Sequence, residues 1–373
     1  MIVNKLDING FRNLRPVSFL PEPGVNILYG DNAQGKTNLL EALWLFTGGR
    51  SFRGAKDAEL PGFGLERATL TMDFEAFDRQ QQAQITIEKR RCAVLNGLPQ
   101  TAASKLAGVF CAVVFSPSHL SLVRDGPEGR RKFIDAAYCQ LKPGYISAYA
   151  AFSRTLAQRN ALLKAMRKYG GGGEELDIWD QRMAQTGGRV MEARQNYCRR
   201  LAPVAAEIYG GLSGGRESLR VGYASSVGYD VGDAAQAASL LLDALKDSRQ
   251  ADLAAGFSTV GPHRDDLFTE IDGLPARQYG SQGQQRSTVL ALKLAEASLL
   301  REVTGEQPVA LLDDVMSELD VSRQDYIFNH IHGWQVFITC CEPAAVLRLS
   351  GGGMFHVKQG DIRRETAASA PFT

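Results

Sequence analysis

Cysteine is sparse and unpatterned in this chain of 373 residues: Cys92, Cys111, Cys139, Cys198, Cys340 and Cys341 include no C-x-x-C pair. That argues against a zinc ribbon and against a thioredoxin-type redox motif. Cys340 and Cys341 are adjacent, which disfavours a bridge between them, and reduced thiols in the cytosol are the expected state. Long apolar runs are missing as well. The longest, Val109 to Phe115, is far short of the roughly 20 residues a membrane helix needs, and the N-terminus opens with alternation instead of an apolar signal core. Net charge is nearly absent: 42 Lys and Arg stand against 41 Asp and Glu, giving +1. The whole molecule is therefore no polycation, and any nucleic-acid surface has to be a local patch. What remains is the composition of an ordinary globular protein, long enough for two domains.

Against that plain background one stretch stands out. Gly30-Asp31-Asn32-Ala33-Gln34-Gly35-Lys36-Thr37 fits the phosphate-loop pattern G-x-x-x-x-G-K-[ST]. Val25 to Tyr29 before it reads as a buried strand and Asn38 to Phe46 after it as a helix. Gly30 and Gly35 permit a tight turn whose N–H groups point at phosphate oxygens. The helix N-terminus adds positive partial charge. Lys36 is expected to reach the β- and γ-phosphates and Thr37 to ligate Mg²⁺. The alternative is a glycine-rich turn that contains Gly-Lys-Thr by chance, and the strand and helix on either side disfavour it.

Alternation predicts two strands around Leu6 to Phe11 and Val17 to Phe19, then an antiparallel meander through Leu70–Phe74, Ile85–Ile87 and Cys92–Leu95, closed by the Asn96-Gly97 turn. Phe110 to Phe115 is apolar throughout, as in a strand buried on both faces. From about 120 to 210 the texture becomes helical. Tyr145 to Tyr169 and the stretch from Glu174 carry apolar residues at helical spacing on either side of Gly170–Gly173, which predicts an αα-hairpin over 145–206 with helices of about 25–30 residues. Residues 120–210 hold 15 Lys and Arg against 9 Asp and Glu. Arg130, Arg131, Lys132, Arg159, Lys168 and Arg194 are candidates for contact with a DNA backbone, a solvated helix face being the ordinary alternative for each. Leu219–Tyr223 reads as a strand and 234–253 as a helix. Trp334 to Thr339 reads as the last apolar strand, and the residues after Glu365 as a loose tail.

The C-terminal third returns to site chemistry. Pro308 to Asp314 is a buried strand ending in two carboxylates, of which Asp313 suits the Mg²⁺ shell opposite Thr37. Asp314, one residue on, faces the other way and suits a general base for the attacking water. Solvated acids at a strand end are the plainer reading where no phosphate loop exists. Ser281-Gln282-Gly283-Gln284-Gln285 opens a helix running to about Leu300, and its hydroxyl and free N–H groups make a second anion-seeking device. A simple serine cap would look the same. Two such devices make sense if they serve two sides of one nucleotide, the loop from one subunit and Ser281 from another. His263 and Arg264, in Gly261-Pro262-His263-Arg264-Asp265-Asp266-Leu267, either contact phosphate or pin a structural corner.

This order of phosphate loop, Ser281-Gln282-Gly283-Gln284-Gln285-Arg286, Asp313-Asp314 strand and Ser317-Glu318-Leu319-Asp320 resembles the ABC-type ATPases of the SMC class, and within them the RecF family. Phe11-Arg12-Asn13-Leu14 and Phe115-Ser116-Pro117-Ser118-His119-Leu120 carry the same resemblance, which spreads over nearly the whole chain. It implies an α/β head with a parallel core sheet, an antiparallel flank and an inserted helical lobe that contains the short αα-hairpin. The expected divisions are 1–117, 118–255 and 256–373. It also implies a slow, DNA-stimulated ATPase that dimerises on ATP and Mg²⁺ at single-strand/double-strand junctions and gaps, working with RecO and RecR to load RecA. Ser281, Gly283 and Gln284 would meet the ATP of the partner subunit, Asp320 would lie in the loop crossing the dimer interface, and Arg12 and Asn13 would lie near the adenine. Many ABC-type ATPases place a histidine after the last core strand. Here the strand ends Thr339-Cys340-Cys341-Glu342, and His330 and His332 precede it. The rival readings are an SMC-like DNA tether, which needs far longer helices, and a P-loop kinase or transporter ATPase; a kinase has no use for the Ser281 segment, and a transporter ATPase normally needs a membrane partner.

Overall fold

The structure, a computed structural model, describes residues 1–228, 232–343 and 352–365. The expected loose tail beyond Glu365 lies outside the described residues. In chain order the strands and helices are β1 (Ile2–Asn9), β2 (Val17–Phe19), β3 (Val25–Tyr29), α1 (Lys36–Leu45), β4 (Ala68–Ala76), β5 (Arg79–Ile87), β6 (Arg91–Leu95), β7 (Leu98–Gln100), β8 (Ala112–Phe115), α2 (Pro117–Leu120), α3 (Pro127–Leu141), α4 (Gly144–Tyr169) and α5 (Gly173–Ser213). They continue with β9 (Leu219–Ala224), α6 (Ala234–Asp247), α7 (Arg249–Ala255), β10 (Asp266–Ile271), β11 (Leu274–Pro275), α8 (Ala276–Tyr279), α9 (Gln282–Thr304), β12 (Val309–Asp313), α10 (Val321–His330), β13 (Val336–Cys340), β14 (Gly353–Lys358) and β15 (Asp361–Arg364).

Two compact units result, one of Met1–Ser121 with Val289–Thr373 and one of Leu122–Thr288. In the first, a mostly parallel sheet is ordered β15-β14-β3-β13-β12-β8, and a second sheet ordered β2-β1-β4-β5-β6-β7 is antiparallel. This is the parallel core with antiparallel flank that the patterning predicts. β8, β12 and β13 are buried at every residue, as strands covered on both faces must be. Register places the site. Tyr29 is level with Cys340, Asp313 with Thr339, and Leu312 with Phe115. The carboxyl ends of four parallel strands thus open along one edge, where α/β sheets bind ligands.

The second unit is helical around the buried side chains of Tyr145, Phe152, Met183, Met191, Leu241 and Leu245, with the small sheet β11-β10-β9 beside them. Three differences from the sequence reading appear. The hairpin extends to Ser213 because α5 runs for 41 residues, keeping Pro203 inside it, where the spacing predicts 25–30. Segment 256–288 groups with the helical unit, because β10 pairs with β9 along its length. Finally, β13 is not the last strand: β14 adds in parallel to β3, and β15 folds back on β14.

Among the described residues no helix is long and apolar enough to cross a membrane.

Candidate nucleotide site

The phosphate loop is built as its sequence requires. Gly30, Ala33 and Gly35 all have positive φ, at 143°, 63° and 115°. At Gly35 a Cβ would stand 2.9 Å from a Leu14 methyl and 3.0 Å from Asn13 Oδ1, so this position must be glycine. Gly35 is also the N-cap of α1 and brings no capping side chain. The first-turn N–H groups of α1 are left for an anion. Lys36 is buried, and its Nζ donates to the carbonyls of Gly30 at 2.5 Å and Asp31 at 2.8 Å. Its ammonium is therefore held at the centre of the loop by the loop's own backbone.

Opposite stands the end of β12. Thr37 Oγ1 donates to Asp313 Oδ1 at 2.7 Å, and Thr339 Oγ1 donates to the same oxygen at 2.9 Å. Burial pushes the Asp313 carboxyl pKa up, and these two hydroxyls work against that shift. A hydroxyl and a carboxylate oxygen in contact are hard donors suited to Mg²⁺. Among the described residues no group of three or more His, Cys, Asp or Glu is gathered for a metal. Asp314 departs from β12 with φ 50°, a left-handed turn that is costly for a non-glycine residue.

Thr339 pins that turn. Its Oγ1 accepts the Asp314 N–H at 2.9 Å while donating to Asp313. Thr339→Val, nearly isosteric, removes both bonds, and a loss of about 1–2 kcal/mol corresponds to roughly tenfold. Triphosphate hydrolysis should fall by about that factor with little change in nucleotide affinity, while Thr339→Ser should keep most of the rate. Steady-state kinetics on the two variants checks it.

The far wall of the loop is a braced polar cluster. Arg12, itself at φ 54°, makes two 2.9 Å bonds to the fully buried Glu41 and a third to the Glu59 carbonyl. Ser51 also donates to Glu41. Asn13 Nδ2 donates to the Ala33 carbonyl at 3.0 Å, and its Oδ1 accepts from Asn38, which in turn accepts from Arg53. Arg12 and Asn13 thus shape the wall and hold the loop. Glu41 and Thr339 were missed in the sequence, although an acid inside Leu39-Leu40-Glu41-Ala42-Leu43 is a signal of something buried with it. Cys341 takes up the position after β13, with its Sγ 3.2 Å from Asn32 Oδ1 and 3.9 Å from Lys36 Nζ.

Ser281 begins α9 as a reciprocal cap. Gln284 N–H donates to Ser281 Oγ at 3.3 Å, and Ser281 N–H donates to Gln284 Oε1 at 2.7 Å. Gln284 is tied further to Glu217 at 2.9 Å. Ser281 and Gln282 are exposed and Gly283 half-buried. The serine's oxygen is used as an acceptor, and its own proton remains to donate outward. Asp320 caps α10 by accepting the Arg323 N–H at 3.0 Å.

The cationic candidates divide sharply. Arg159 is fully buried between Asp180, Asp252 and Ser258, Arg194 is buried on Asp135 and the Pro262 carbonyl, and Arg130 is buried on Asp266 and the Leu122 and Asp125 carbonyls. These three are corrected: they are internal struts, and none can track a DNA backbone. Arg131 reaches the Asp265 carbonyl and is half-buried. Lys132, paired with Glu128, and Lys168, over the Tyr169 ring, are exposed. His263 and Arg264 both turn back to the Ser258 carbonyl, which makes them a pinned corner. Burial pushes the His263 pKa down to about 4.

Comparison with known proteins agrees with this geometry. The family model described as RecF/RecN/SMC N terminal domain matches residues 2–359. The DNA replication and repair protein RecF of Acetivibrio thermocellus is 36% identical over 92% of this chain and 94% of its own length. That of Ruminiclostridium cellulolyticum is 39% identical over 97% and 99%. A solved structure of the recombination mediator protein RecF-ATP in the RecFOR pathway superposes with a TM-score of 0.90 at 35% identity, covering 98% of each chain. An Smc head domain from Pyrococcus furiosus, at 15% identity and a TM-score of 0.54 over 98% of this chain and 96% of its own, shares the fold.

Proposed function

This chain belongs to the RecF family of DNA replication and repair proteins, and on that footing we propose that it is an ATP-switched dimer acting on DNA. Thr37 and Asp313 would hold a Mg²⁺ ion, which would supply charge to offset the phosphates; Lys36 would leave its loop carbonyls to neutralise the β- and γ-phosphates, and Asp314 would orient and deprotonate the attacking water. The exposed hydroxyl of Ser281, with Gly283 and Gln284 beside it at the start of α9, closes on the γ-phosphate bound by a second copy. Asp320 borders that interface, and Arg12 and Asn13 line the approach of the base. Hydrolysis removes the shared phosphate and releases the dimer. Turnover is slow and rises with DNA. The setting is the cytoplasm, the DNA is a gap or junction read with little sequence preference, and RecO and RecR act with it in RecA loading. The helical unit serves as the inserted lobe.

The observation that carries the enzymatic part is the 2.7 Å contact between Thr37 and Asp313, which brings the loop and the acid side by side, as a shared metal ion would need. Sedimentation tests the switch. The unaltered protein should be monomeric without nucleotide and dimeric with ATP. Lys36→Met should neither bind ATP nor dimerise, whereas Ser281→Arg should bind ATP and stay monomeric. Dimers indifferent to ATP, or unaffected by Ser281→Arg, would overturn the reading.

A further inference from the structure

β14 belongs to the same parallel edge as the nucleotide site, since His356 is level with Tyr29. Its turn into β15 is therefore beside the phosphate loop. Lys358 pairs with Asp361 across two residues, Gln359 at φ 50° and Gly360 at φ 76°, both in the left-handed region. This is a tight hairpin turn with Gly in its second place. It is clamped on both sides. Gln359 N–H donates to Gln34 Oε1 at 2.6 Å and Gly360 N–H to the Gln34 carbonyl at 2.9 Å, while Arg15 N–H donates to the Gly360 carbonyl at 2.9 Å. A Cβ on Gly360 would lie 2.0 Å from the Asn13 carbonyl, so only glycine allows the clamp to close. The turn joins the apex of the phosphate loop to the chain just after Asn13.

Outside this turn is a cavity of about 210 Å³, lined by Arg15, His356, Lys358, Gln359, Asp361 and Arg363. Three cations face one carboxylate. Asp361 is engaged with Arg363 at 2.8 Å. The side chains of Arg15 and Lys358 are exposed and have no hydrogen-bond or ion-pair partner among the described residues. The rear wall is stiff: His356 stacks on Tyr29 at 5.1 Å, and the Tyr29 hydroxyl is bonded to Glu365. The volume is below the roughly 300–1,000 Å³ that encloses a whole small ligand. It suits one phosphate group of something larger that lies across the opening. Two unspent cations are what a polyanion backbone engages through counterion release.

We propose that Arg15, Lys358 and Arg363 form a cradle for a backbone phosphate of DNA. The cradle shares its floor with Gln34, so a DNA phosphate there and a nucleotide in the loop are coupled through one rigid turn. The coupling is reciprocal: each ligand favours the other. The inference rests on the DNA reading above and assigns it a surface.

The test is DNA binding by the full chain with ATP across a salt series, comparing the unaltered protein with Arg15→Glu/Lys358→Glu. The expected result is an affinity loss of at least about tenfold and a salt slope shallower by about 1, for the one phosphate the cradle would neutralise. ATP binding and basal hydrolysis without DNA should be unchanged, the DNA-stimulated increment lost, and Arg15→Lys/Lys358→Arg should bind DNA normally. Equal affinity and slope in the Glu variant, alongside normal binding by the unaltered protein, would overturn the cradle and leave the DNA reading standing. Inorganic phosphate that occupies the cradle without weakening DNA binding at constant ionic strength would overturn it in favour of a free-anion site. Failure of the unaltered protein to bind DNA would defeat both.

Discussion

Asp314→Asn should bind ATP about as tightly as the unaltered protein and hydrolyse it at least ~100-fold more slowly, the usual scale of a lost general base. The two carboxylates at the end of β12 are adjacent but not equivalent. Asp313 is buried and already takes two hydroxyl hydrogen bonds, from Thr37 and Thr339. A carboxylate so engaged is placed to hold a cation. Asp314 is half-buried, sits at a positive φ, and its carboxylate is touched only weakly by the Ser317 hydroxyl at 3.4 Å. Its carboxylate oxygens are the less engaged of the two by hydrogen bonds, which leaves them open to an attacking water. The amide keeps the shape and loses the basicity, so bound ATP should persist and hold dimers together in sedimentation. Asp313→Asn should behave differently, weakening the Mg²⁺ dependence of nucleotide binding itself. Normal hydrolysis by Asp314→Asn would remove it from the mechanism.

The second large effect concerns stability. Arg159 is 0% exposed and bonds Asp180 at 2.7 Å and Asp252 at 2.6 Å, themselves 1% and 0% exposed. Arg249 reaches Asp180 from the rim at 2.6 Å, and Thr259 supplies two bonds to Asp252. Arg159→Met removes the central cation while leaving both acids buried. Breaking such a cluster from one side costs about 3–5 kcal/mol, because Asp252 is left buried with the Thr259 bonds and no cation, while Asp180 keeps only Arg249. Urea unfolding followed by Trp179 fluorescence, with Trp44 and Trp334 replaced by Phe, reads the helical unit alone. Arg159→Met/Asp252→Asn should recover part of the loss, since it deletes one stranded charge. A midpoint unchanged by Arg159→Met would show the cluster to be dispensable.

Arg159 also marks where reading the sequence stops being enough. In a helical stretch rich in basic residues it looks like its neighbours Arg154 and Lys164. What distinguishes it is carboxylates 21 and 93 residues away, which no local pattern reports. Arg130 and Arg194 were misread for the same reason. The phosphate loop is the opposite case. Its turn, its helix start and its lysine are all set within eight consecutive residues, so its chemistry can be read directly from them. The Asp313-Asp314 pair was legible because an apolar strand announces its own end. Thr339 was not, because its role depends on strand register across the sheet. β14 and β15 escaped notice because Gly351-Gly352-Gly353 interrupts the alternation just before a strand only six residues long.

The central place of β3 has a consequence for how this protein is made. Its sheet neighbours on either side are β13 and β14, residues 336–340 and 353–358, although β3 itself is residues 25–29. On a ribosome adding about 5–20 residues per second, the strand beneath the phosphate loop waits tens of seconds for its partners. During that interval its backbone donors and acceptors are unpaired, and the loop above it has no opposing acid. A nascent chain should therefore be unable to capture ATP, and this strand is where a chaperone would be needed first.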